Sequence, residues 1–279
     1  MKLFQLLLLL CLIWGFNFVV MKTANTYFSP ELFVAYRFTL GAVILGAYAF
    51  WKKIPLPKID LWIWIALTGV FQIFLGSTIV QICFKYLSAG MVSVLNYTMP
   101  LWVIVLARIF LNESLTRKKI AGITISIIGV FVLMNVDIGG DISAMLLSIL
   151  GAIVWAVSNI ITKARLSKCD PLTLTTWQMI IGAILLVIYT SIFTENHVDW
   201  TFTGVACLLY NGIIASALAF FLWVYILDHM EAGKASISVL GVPVVGVILG
   251  VIMLGEPFTM SIAVGMLMVL SGIVLVQHS

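Results

Sequence analysis

Charged residues are scarce in this chain of 279 amino acids. They make up 9% of the sequence, whereas 63% is hydrophobic. A soluble domain carries about 25% charged residues, so this chain cannot cover its whole surface with groups that face water. We therefore expect lipid to surround most of the protein. The net charge of +4 is small and dispersed, which argues against a nucleic-acid partner.

Groups that bind metals or perform catalysis are also sparse. The four cysteines form no CxxC pair, which argues against a zinc site and a disulfide framework. The three histidines and all eleven acidic residues fall in predicted loops, at a terminus or at the ends of apolar stretches. An intramembrane enzyme needs paired carboxylates, a Ser/His pair or a histidine cluster at membrane depth. We therefore expect no enzymatic activity, no metal and no cofactor.

Long apolar stretches are what the sequence does contain. A helix of roughly 17–25 apolar residues crosses the ~30 Å hydrocarbon layer of a bilayer. Ten such stretches, separated by short connections, are predicted over residues 3–21, 32–51, 61–82, 88–110, 119–136, 142–162, 172–193, 202–226, 234–254 and 259–276. The predicted fold class is an all-α integral membrane protein with ten transmembrane helices.

Lysine and arginine decide the orientation of these spans, since they are enriched on the cytoplasmic side of membranes. If the N-terminus is cytoplasmic, eleven of the 15 basic residues fall on the cytoplasmic side. Only Lys22 and Lys85 fall on the other side, while Arg37 and Arg108 lie within spans. Both termini are therefore predicted to be cytoplasmic. The short loops and the lack of targeting extensions favour the plasma membrane of a prokaryote.

The sequence contains an internal repeat, since its two halves share one pattern of residues. Residues 14–22 (Trp-Gly-Phe-Asn-Phe-Val-Val-Met-Lys) match residues 155–163 (Trp-Ala-Val-Ser-Asn-Ile-Ile-Thr-Lys) at a spacing of 141. The spacing later becomes 143, as shown by the pairs Pro100 and Pro243, Glu113 and Glu256, Gly122 and Gly265, and Gly129 and Gly272. A hydrophobic chain with two homologous halves is typical of membrane transporters.

The duplication predicts two five-helix repeats, residues 1–136 and residues 137–279. Because five is odd, the second repeat enters the membrane from the opposite side, and the two repeats are inverted. Inverted halves can enclose a midplane cavity that opens to either face in turn. The architecture therefore predicts a transporter that works by alternating access.

Polar and aromatic residues within the spans are candidates for the substrate site. Trp14 and Asn17 share one helix face, and Trp155 and Asn159 share another. Asparagine is costly in hydrocarbon, so these side chains should face the cavity or bond to neighbouring helices, and both alternatives stay open. The predicted substrate-binding residues are Trp14, Asn17, Asn96, Tyr97, Trp102, Trp155, Asn159, Tyr210, Trp223 and Arg37.

Two prolines occupy matched positions near the middle of spans four and nine. Pro100 and Pro243 each lack an N–H and should break their helices, which would free backbone groups near the midplane. Proline is also common in membrane helices for packing alone. We expect helix breaks at both positions, near the substrate site.

Arg37 is the most unusual charge, since it lies six residues inside the second span. It could reach up to Glu31 or to backbone carbonyls, or it could attract a carboxylate or phosphate on the substrate. Its counterpart in the second repeat is Gln178. Glu113 and Glu256 follow matched spans and are interpreted as anchors at helix ends, with a role in gating as the alternative.

These residues together resemble a known family. Trp14-Gly-x-Asn17, Lys22, Pro30 and Arg37 are similar to the opening of an EamA domain of the drug/metabolite transporter superfamily. Glu113-x-x-Thr116, together with the glycines at 122 and 129, is similar to the C-terminal part of such a domain. The second half of the chain repeats most of this pattern. The resemblance implies ten helices, cytoplasmic termini and a central cavity. It also implies transport of amino acids and related metabolites, often outward.

The function expected from these arguments is export of small neutral or zwitterionic metabolites. The alternative is multidrug efflux of hydrophobic or cationic compounds, and a scaffold or lipid-handling protein is a third hypothesis. The expected partners are a small-molecule substrate and the lipid bilayer, and the sequence leaves a homodimer open.

Reporter fusions at the two ends of the chain test the predicted topology. Green fluorescent protein fused before Met1 or after Ser279 is expected to fluoresce in bacterial cells, because both ends are predicted to be cytoplasmic. Alkaline phosphatase at the same positions is expected to stay inactive. Phosphatase activity at either end would contradict the orientation.

Overall fold

The computed structural model describes residues 2–112, 114, 116–136, 141–194, 197–239 and 241–277. Regular structure in this part of the chain is helical, apart from one isolated bridge between Phe28 and Val198. The helices are α1 (Lys2–Ala24), α2 (Pro30–Trp51), α3 (Ile59–Cys83), α4 (Ala89–Phe110), α5 (Arg117–Val136), α6 (Ile142–Arg165), α7 (Pro171–Phe193), α8 (Phe202–His229), α9 (Ala232–Ser238), α10 (Gly241–Leu254) and α11 (Met260–Gln277).

Seven of these helices, α1 to α4 and α6 to α8, are long and apolar enough to cross a membrane. The shorter helix α10 and the described part of α11 are also apolar. Large apolar side chains such as Leu8, Ile188 and Ile252 are exposed on the outside of the bundle, where a soluble protein would expose polar groups. The predicted all-helical, multi-pass membrane protein is confirmed.

Side-chain caps explain where two of the helices begin. Asp141 Oδ1 accepts hydrogen bonds from the backbone N–H groups of Ser143 (2.8 Å) and Ala144 (3.3 Å) at the start of α6. Asp170 Oδ2 accepts from the Thr173 N–H at 2.8 Å, just before Pro171 opens α7. Each aspartate satisfies backbone donors that have no partner within the helix. The local sequence therefore sets both helix starts.

Two of the long helices contain a π-helical segment. In α3 it covers Gly69–Gly76, and in α8 it covers Tyr210–Leu218. The two segments begin 141 residues apart, at the spacing of the sequence repeat. Each packs across the bundle, the α3 segment against α7 and the α8 segment against α2. Such wider turns are rare and often mark functional positions.

Helix α4 is interrupted at its centre. Its first segment, Ala89–Asn96, ends in a turn at Tyr97, and its second segment, Met99–Phe110, follows. Pro100 is the second residue of that second segment, where a missing N–H costs little because first-turn donors have no partner within the helix. In the same way Pro243 is the third residue of α10, after α9 ends. The prolines therefore open the helical segments that follow the interruptions.

These segments pack against each other and against neighbouring helices. Helix α10 packs against the first segment of α4, and α9 packs against the second segment of α4. Helix α1 also packs against α10, while α6 packs against the second segment of α4. Helices α2 and α7 pack against each other. At the interruption of α4, Asn96, Tyr97 and Thr98 are all buried, as a lipid environment requires of irregular backbone.

Contacts between the ends of helices show which way the helices run. Lys22, at the end of α1, donates to the carbonyls of Phe84 (3.2 Å) and Leu87 (2.5 Å), just after α3. Arg165 lies in the last turn of α6. Its guanidinium is 4.8 Å from the ring centre of Trp64, which lies near the start of α3. Helices α1 and α6 therefore end at opposite ends of the bundle.

Glycines allow α5 and α11 to cross at close range. A Cβ added to Gly272 would lie 2.3 Å from the Gly122 carbonyl oxygen, and one added to Gly129 would lie 2.9 Å from the Gly265 carbonyl oxygen. Ser126 Oγ donates to Val269 O across the same crossing at 3.1 Å. Small residues that bring backbones together are a common means of helix association in membranes.

Substitution at this crossing should destabilise the protein. Gly272→Ala forces a methyl group against a backbone carbonyl, and we expect a loss of about 1–3 kcal/mol and a lower Tm in detergent. Gly46→Ala is the matched control, because its Cβ would meet nothing closer than Ile180 Cδ1 at 3.9 Å. Equal Tm values for the two variants would contradict the close crossing.

Candidate functional site

A small cavity lies at the centre of the bundle, among α1, α2, α3, α4, α6 and α8. Its wall consists of Trp14, Asn17, Phe18, Met21, Arg37, Ser77, Val80, Asn96, Tyr97, Trp155 and Phe220. The space open to the centre of a water molecule is about 40 Å³, enough for roughly three water molecules. Two residues of the wall, Trp155 and Phe220, come from the second half of the chain, so both halves contribute.

Six of the ten predicted site residues lie in this wall. They are Trp14, Asn17, Arg37, Asn96, Tyr97 and Trp155. They come from α1, α2, α4 and α6, which are far apart in the sequence and meet only through helix packing. The interruption of α4 brings Asn96 and Tyr97 to the wall at the point where the helix turns.

The other four predicted residues lie outside the wall. Trp102 is half-buried and donates through Nε1 to Thr98 Oγ1 at 3.3 Å. Tyr210 donates its hydroxyl to the Ile13 carbonyl at 2.8 Å, which joins the π segment of α8 to α1. Tyr210 therefore connects two helices, the bond of Trp102 lies within α4, and neither residue belongs to the cavity wall.

Asn159 and Trp223 lie outside the wall, bond to each other and pack against it. Trp223 Nε1 donates to Asn159 Oδ1 at 3.1 Å, and the Asn159 amide nitrogen lies 3.4 Å from Met99 Sδ. The ring centre of Trp223 is 5.8 Å from that of Trp14. Both side chains are buried, so this contact fixes the position of a wall residue.

Three aromatic rings form one side of the cavity. The ring centre of Trp14 is 5.6 Å from Trp155 and 5.8 Å from Phe220, in edge-to-face arrangements. Trp155 and Phe220 stack with centres 5.8 Å apart. Trp14 Nε1 also donates to the Ala215 carbonyl in the π segment of α8 at 3.2 Å. Aromatic pairs of this kind add rigidity beyond burial, so this side of the cavity is well defined.

Several polar atoms of the wall have no hydrogen-bond partner in the described part of the chain. They are Asn17 Oδ1, Asn96 Nδ2, Trp155 Nε1 and Arg37 Nε, and all are buried. A buried polar group without a partner costs about 1–3 kcal/mol. A polar ligand or water in this space would give these four atoms partners.

Arg37 is a buried cation in this wall. Its Nη1 donates to Asn211 Oδ1 at 2.9 Å, and its guanidinium carbon lies 4.5 Å from the ring centre of Phe38. Among the described acidic residues, Glu31 included, none forms an ion pair with it. Its side chain is 3% exposed. Asn211, from the π segment of α8, is therefore its polar partner across the bundle.

One end of the bundle is closed by hydrogen bonds around the turn between α3 and α4. Glu256, which follows α10, accepts from the N–H groups of Ala89 (2.6 Å) and Gly90 (3.1 Å) at the start of α4. Lys22 donates hydrogen bonds to the carbonyls of Phe84 and Leu87 on the other side of the same turn. Glu256 therefore joins the end of α10 to the start of α4. Its counterpart Glu113 lies outside the described residues.

Some wall residues were not predicted from the sequence. Phe220 and Val80 are ordinary apolar residues within apolar helices, and nothing in their local pattern distinguishes them. Met21 lies one turn beyond Asn17 on the same face, and its sulfur is 3.0 Å from the Asn17 amide nitrogen. Helical spacing from Asn17 could have identified Met21, whereas Phe220 is recognisable only once the helices are packed.

Comparison with known proteins identifies the family. The family model described as the EamA-like transporter family matches residues 2–135 and 142–277. The uncharacterized transporter YoaV of Bacillus subtilis is 30% identical over 270 residues, which cover 94% of this chain and 92% of that protein. A probable amino-acid metabolite efflux pump of Salmonella typhimurium is 28% identical, covering 96% of this chain and 92% of that protein. One crystal structure superposes with a TM-score of 0.76 over 98% of this chain and 96% of its own, at 16% identity, which shows a common fold.

Loss of the Glu256 carboxylate should weaken the closed end. Glu256→Gln replaces charge-assisted hydrogen bonds with weaker ones at the start of a helix, and we expect about 1–2 kcal/mol of lost stability, measured as a lower Tm. Asp60→Asn is the control, since Asp60 is exposed and makes no side-chain hydrogen bond that would be lost. A Tm for Glu256→Gln equal to that of Asp60→Asn would contradict the proposed contact.

Proposed function

Because the chain belongs to the EamA-like transporter family, we propose that it exports small neutral or zwitterionic metabolites, such as amino acids and related compounds, by alternating access. The observation that carries this proposal is the central cavity whose wall presents buried polar atoms without partners among the described residues. Such a wall suits a small polar solute that is briefly enclosed within the membrane.

The proposal includes ten crossings in two inverted five-helix repeats. Three observations support it. The π segments of α3 and α8 begin 141 residues apart. Helices α5 and α11 begin 143 residues apart, at Arg117 and Met260. The matched helices α1 and α6 end at opposite ends of the bundle, as inverted repeats require.

Alternating access needs elements that can change shape between two states. The interruption in α4, which lies beside the cavity, and the one between α9 and α10 provide hinges that absorb backbone rotation. Lys22 and Glu256 close one end through hydrogen bonds to the turn between α3 and α4. Breaking these bonds would open the cavity to that side.

The cavity wall favours amino-acid-like substrates. Arg37 supplies positive charge, Asn96 supplies an amide donor, and Asn17 supplies an oxygen acceptor. A zwitterion presents one group of each sign in a small volume. The Salmonella relative is named as an amino-acid metabolite efflux pump, and this name, with the family resemblance, supports the outward direction. We place the protein in the plasma membrane of a prokaryote with both termini in the cytoplasm.

Multidrug efflux of hydrophobic or cationic compounds is the alternative. The aromatic side formed by Trp14, Trp155 and Phe220 favours it, since rings bind organic cations. Arg37 opposes it, because a buried cation repels another. Drug-sized ligands also occupy pockets of about 300–1,000 Å³, whereas this cavity has about 40 Å³. The first proposal therefore fits the described wall better.

Flux through proteoliposomes tests the proposal. Vesicles that contain the purified protein and are loaded with radiolabelled amino acids should release at least one of them faster than empty vesicles do. Trp14→Ala and Asn96→Ala should each reduce this flux about 10-fold, equivalent to ~1.4 kcal/mol of lost interaction. Phe4→Ala is the control, because Phe4 is exposed on α1.

The interpretation requires folded variants, which a Tm measured for each one establishes. Folded Trp14 and Asn96 variants with the full wild-type flux would remove the proposed site. Absence of flux for every amino acid, together with flux of a hydrophobic cation such as ethidium, would favour the alternative.

A further inference from the structure

We infer that the substrate carries a free carboxylate and that Arg37 binds it in the central cavity. This inference rests on the proposed function and narrows its substrate class. It depends on the burial of Arg37, on the charges around it, and on the atoms that its neighbours leave without partners.

The charge of Arg37 is not balanced within the described part of the chain. The side chain is 3% exposed, and no described aspartate or glutamate forms an ion pair with it. Its hydrogen-bond acceptors are the neutral amide oxygen of Asn211 and the sulfur of Met21, at 2.9 and 3.7 Å. Ionisable residues inside membranes are almost always paired and mark substrate or ion pathways. An anionic group on the substrate would provide the missing partner.

The surroundings of Arg37 hold its guanidinium in one orientation. Asn211 binds Nη1 from α8, and the ring of Phe38 lies against the guanidinium plane. The Nε–H has no hydrogen-bond partner among the residues that the structure describes. Arginine binds carboxylates through pairs of parallel N–H donors, and a free Nε–H on a fixed guanidinium is available for such a bond. The geometry therefore suits an incoming carboxylate.

The rest of the cavity wall suits an ammonium group. Asn17 Oδ1 is a buried acceptor without a partner. The faces of Trp14, Trp155 and Phe220 attract cations. An α-amino acid, with its two charged groups one carbon apart, can therefore satisfy Arg37 and Asn17 together.

A carboxylate explains the site better than a phosphate does. A phosphate monoester carries about −1.5 to −2 charges and three acceptor oxygens at pH 7. The described wall contains a single cation. One arginine balances one carboxylate, whereas a phosphate would remain partly uncompensated in a medium of low dielectric constant.

The second repeat provides an internal control. Gln178 is the repeat counterpart of Arg37, and it is also fully buried. It is uncharged and does not belong to the cavity wall. The cation that binds the carboxylate therefore comes from the first half of the chain, without a matching residue from the second. Arg37→Met and Gln178→Met change matched positions to the same apolar side chain, and only the first removes the charge at the cavity.

Ligand binding to the purified full-length protein tests the inference. The probes are the twenty L-amino acids, the amide of each one and inorganic phosphate. Binding is followed by tryptophan fluorescence, since Trp14 and Trp155 lie in the wall. At least one amino acid should bind more tightly than its amide, by about 10-fold or more, because a buried charge-assisted hydrogen bond distinguishes the two.

The variants then assign this preference to Arg37. In Arg37→Met the ratio of amino-acid to amide affinity should fall to about one while the affinity for the amide is retained, because only the carboxylate loses its partner. Arg37→Lys, which keeps the charge without the paired donors, should give an intermediate ratio. Gln178→Met should keep the wild-type ratio. A purely structural role for Arg37 would instead lower both affinities together.

Each other outcome is decisive. Equal binding of amino acids and amides by the wild-type protein, or an unchanged ratio in Arg37→Met, overturns the carboxylate assignment and leaves the proposed transport function intact if flux persists. Phosphate binding that depends on Arg37, without amino-acid binding, also overturns it. Absence of both binding and flux overturns the proposed function and this inference with it. If Arg37→Met does not fold, the wild-type and Arg37→Lys ratios decide.

Discussion

A lipid environment leaves no water for backbone groups, so each must find its partner within the protein. This constraint explains why irregular backbone occurs where it does. The interruption of α4 lies at buried residues, Asn96, Tyr97 and Thr98. The same constraint makes this interruption useful, because a helix that ends inside the membrane can present polar groups to an enclosed space. The cavity lies beside the interruption of α4, where Asn96 and Tyr97 form part of its wall.

Much of this arrangement could be predicted from the sequence. Apolar runs of membrane-crossing length predicted the long helices, and a costly polar residue within such a run predicted a position facing protein. For this reason Asn17 was identified without coordinates, whereas Trp14 was identified by its shared helix face with Asn17 and Asn96 by its place beside Pro100. The π segments of α3 and α8 were not predicted, because their apolar composition does not differ from that of an ordinary helix. Phe220 was missed for the same reason. The contact between Arg37 and Asn211 joins residues 174 positions apart, and only helix packing reveals it.

The two halves of the chain resemble each other in framework and differ in chemistry. Matched glycines support the α5–α11 crossing from both sides, and matched π segments cross to the opposite half. The cavity, in contrast, takes most of its wall from the first half, including its cation. The matched framework therefore supports the movement that the proposal requires, and the unmatched side chains of the wall support the proposed selectivity. A substrate with distinct ends would meet a different surface at each side of the cavity.

The pairing of the loops before α2 and α8 has a further consequence. Ser29 N–H donates to the His197 carbonyl at 3.0 Å, and Asp199 N–H donates to the Tyr27 carbonyl at 2.7 Å. These bonds use the main chain alone, so they do not depend on which side chains occupy the loops. Substitution of the loop side chains therefore leaves these two bonds in place, so the exposed surface of the junction can change while its backbone pairing stays.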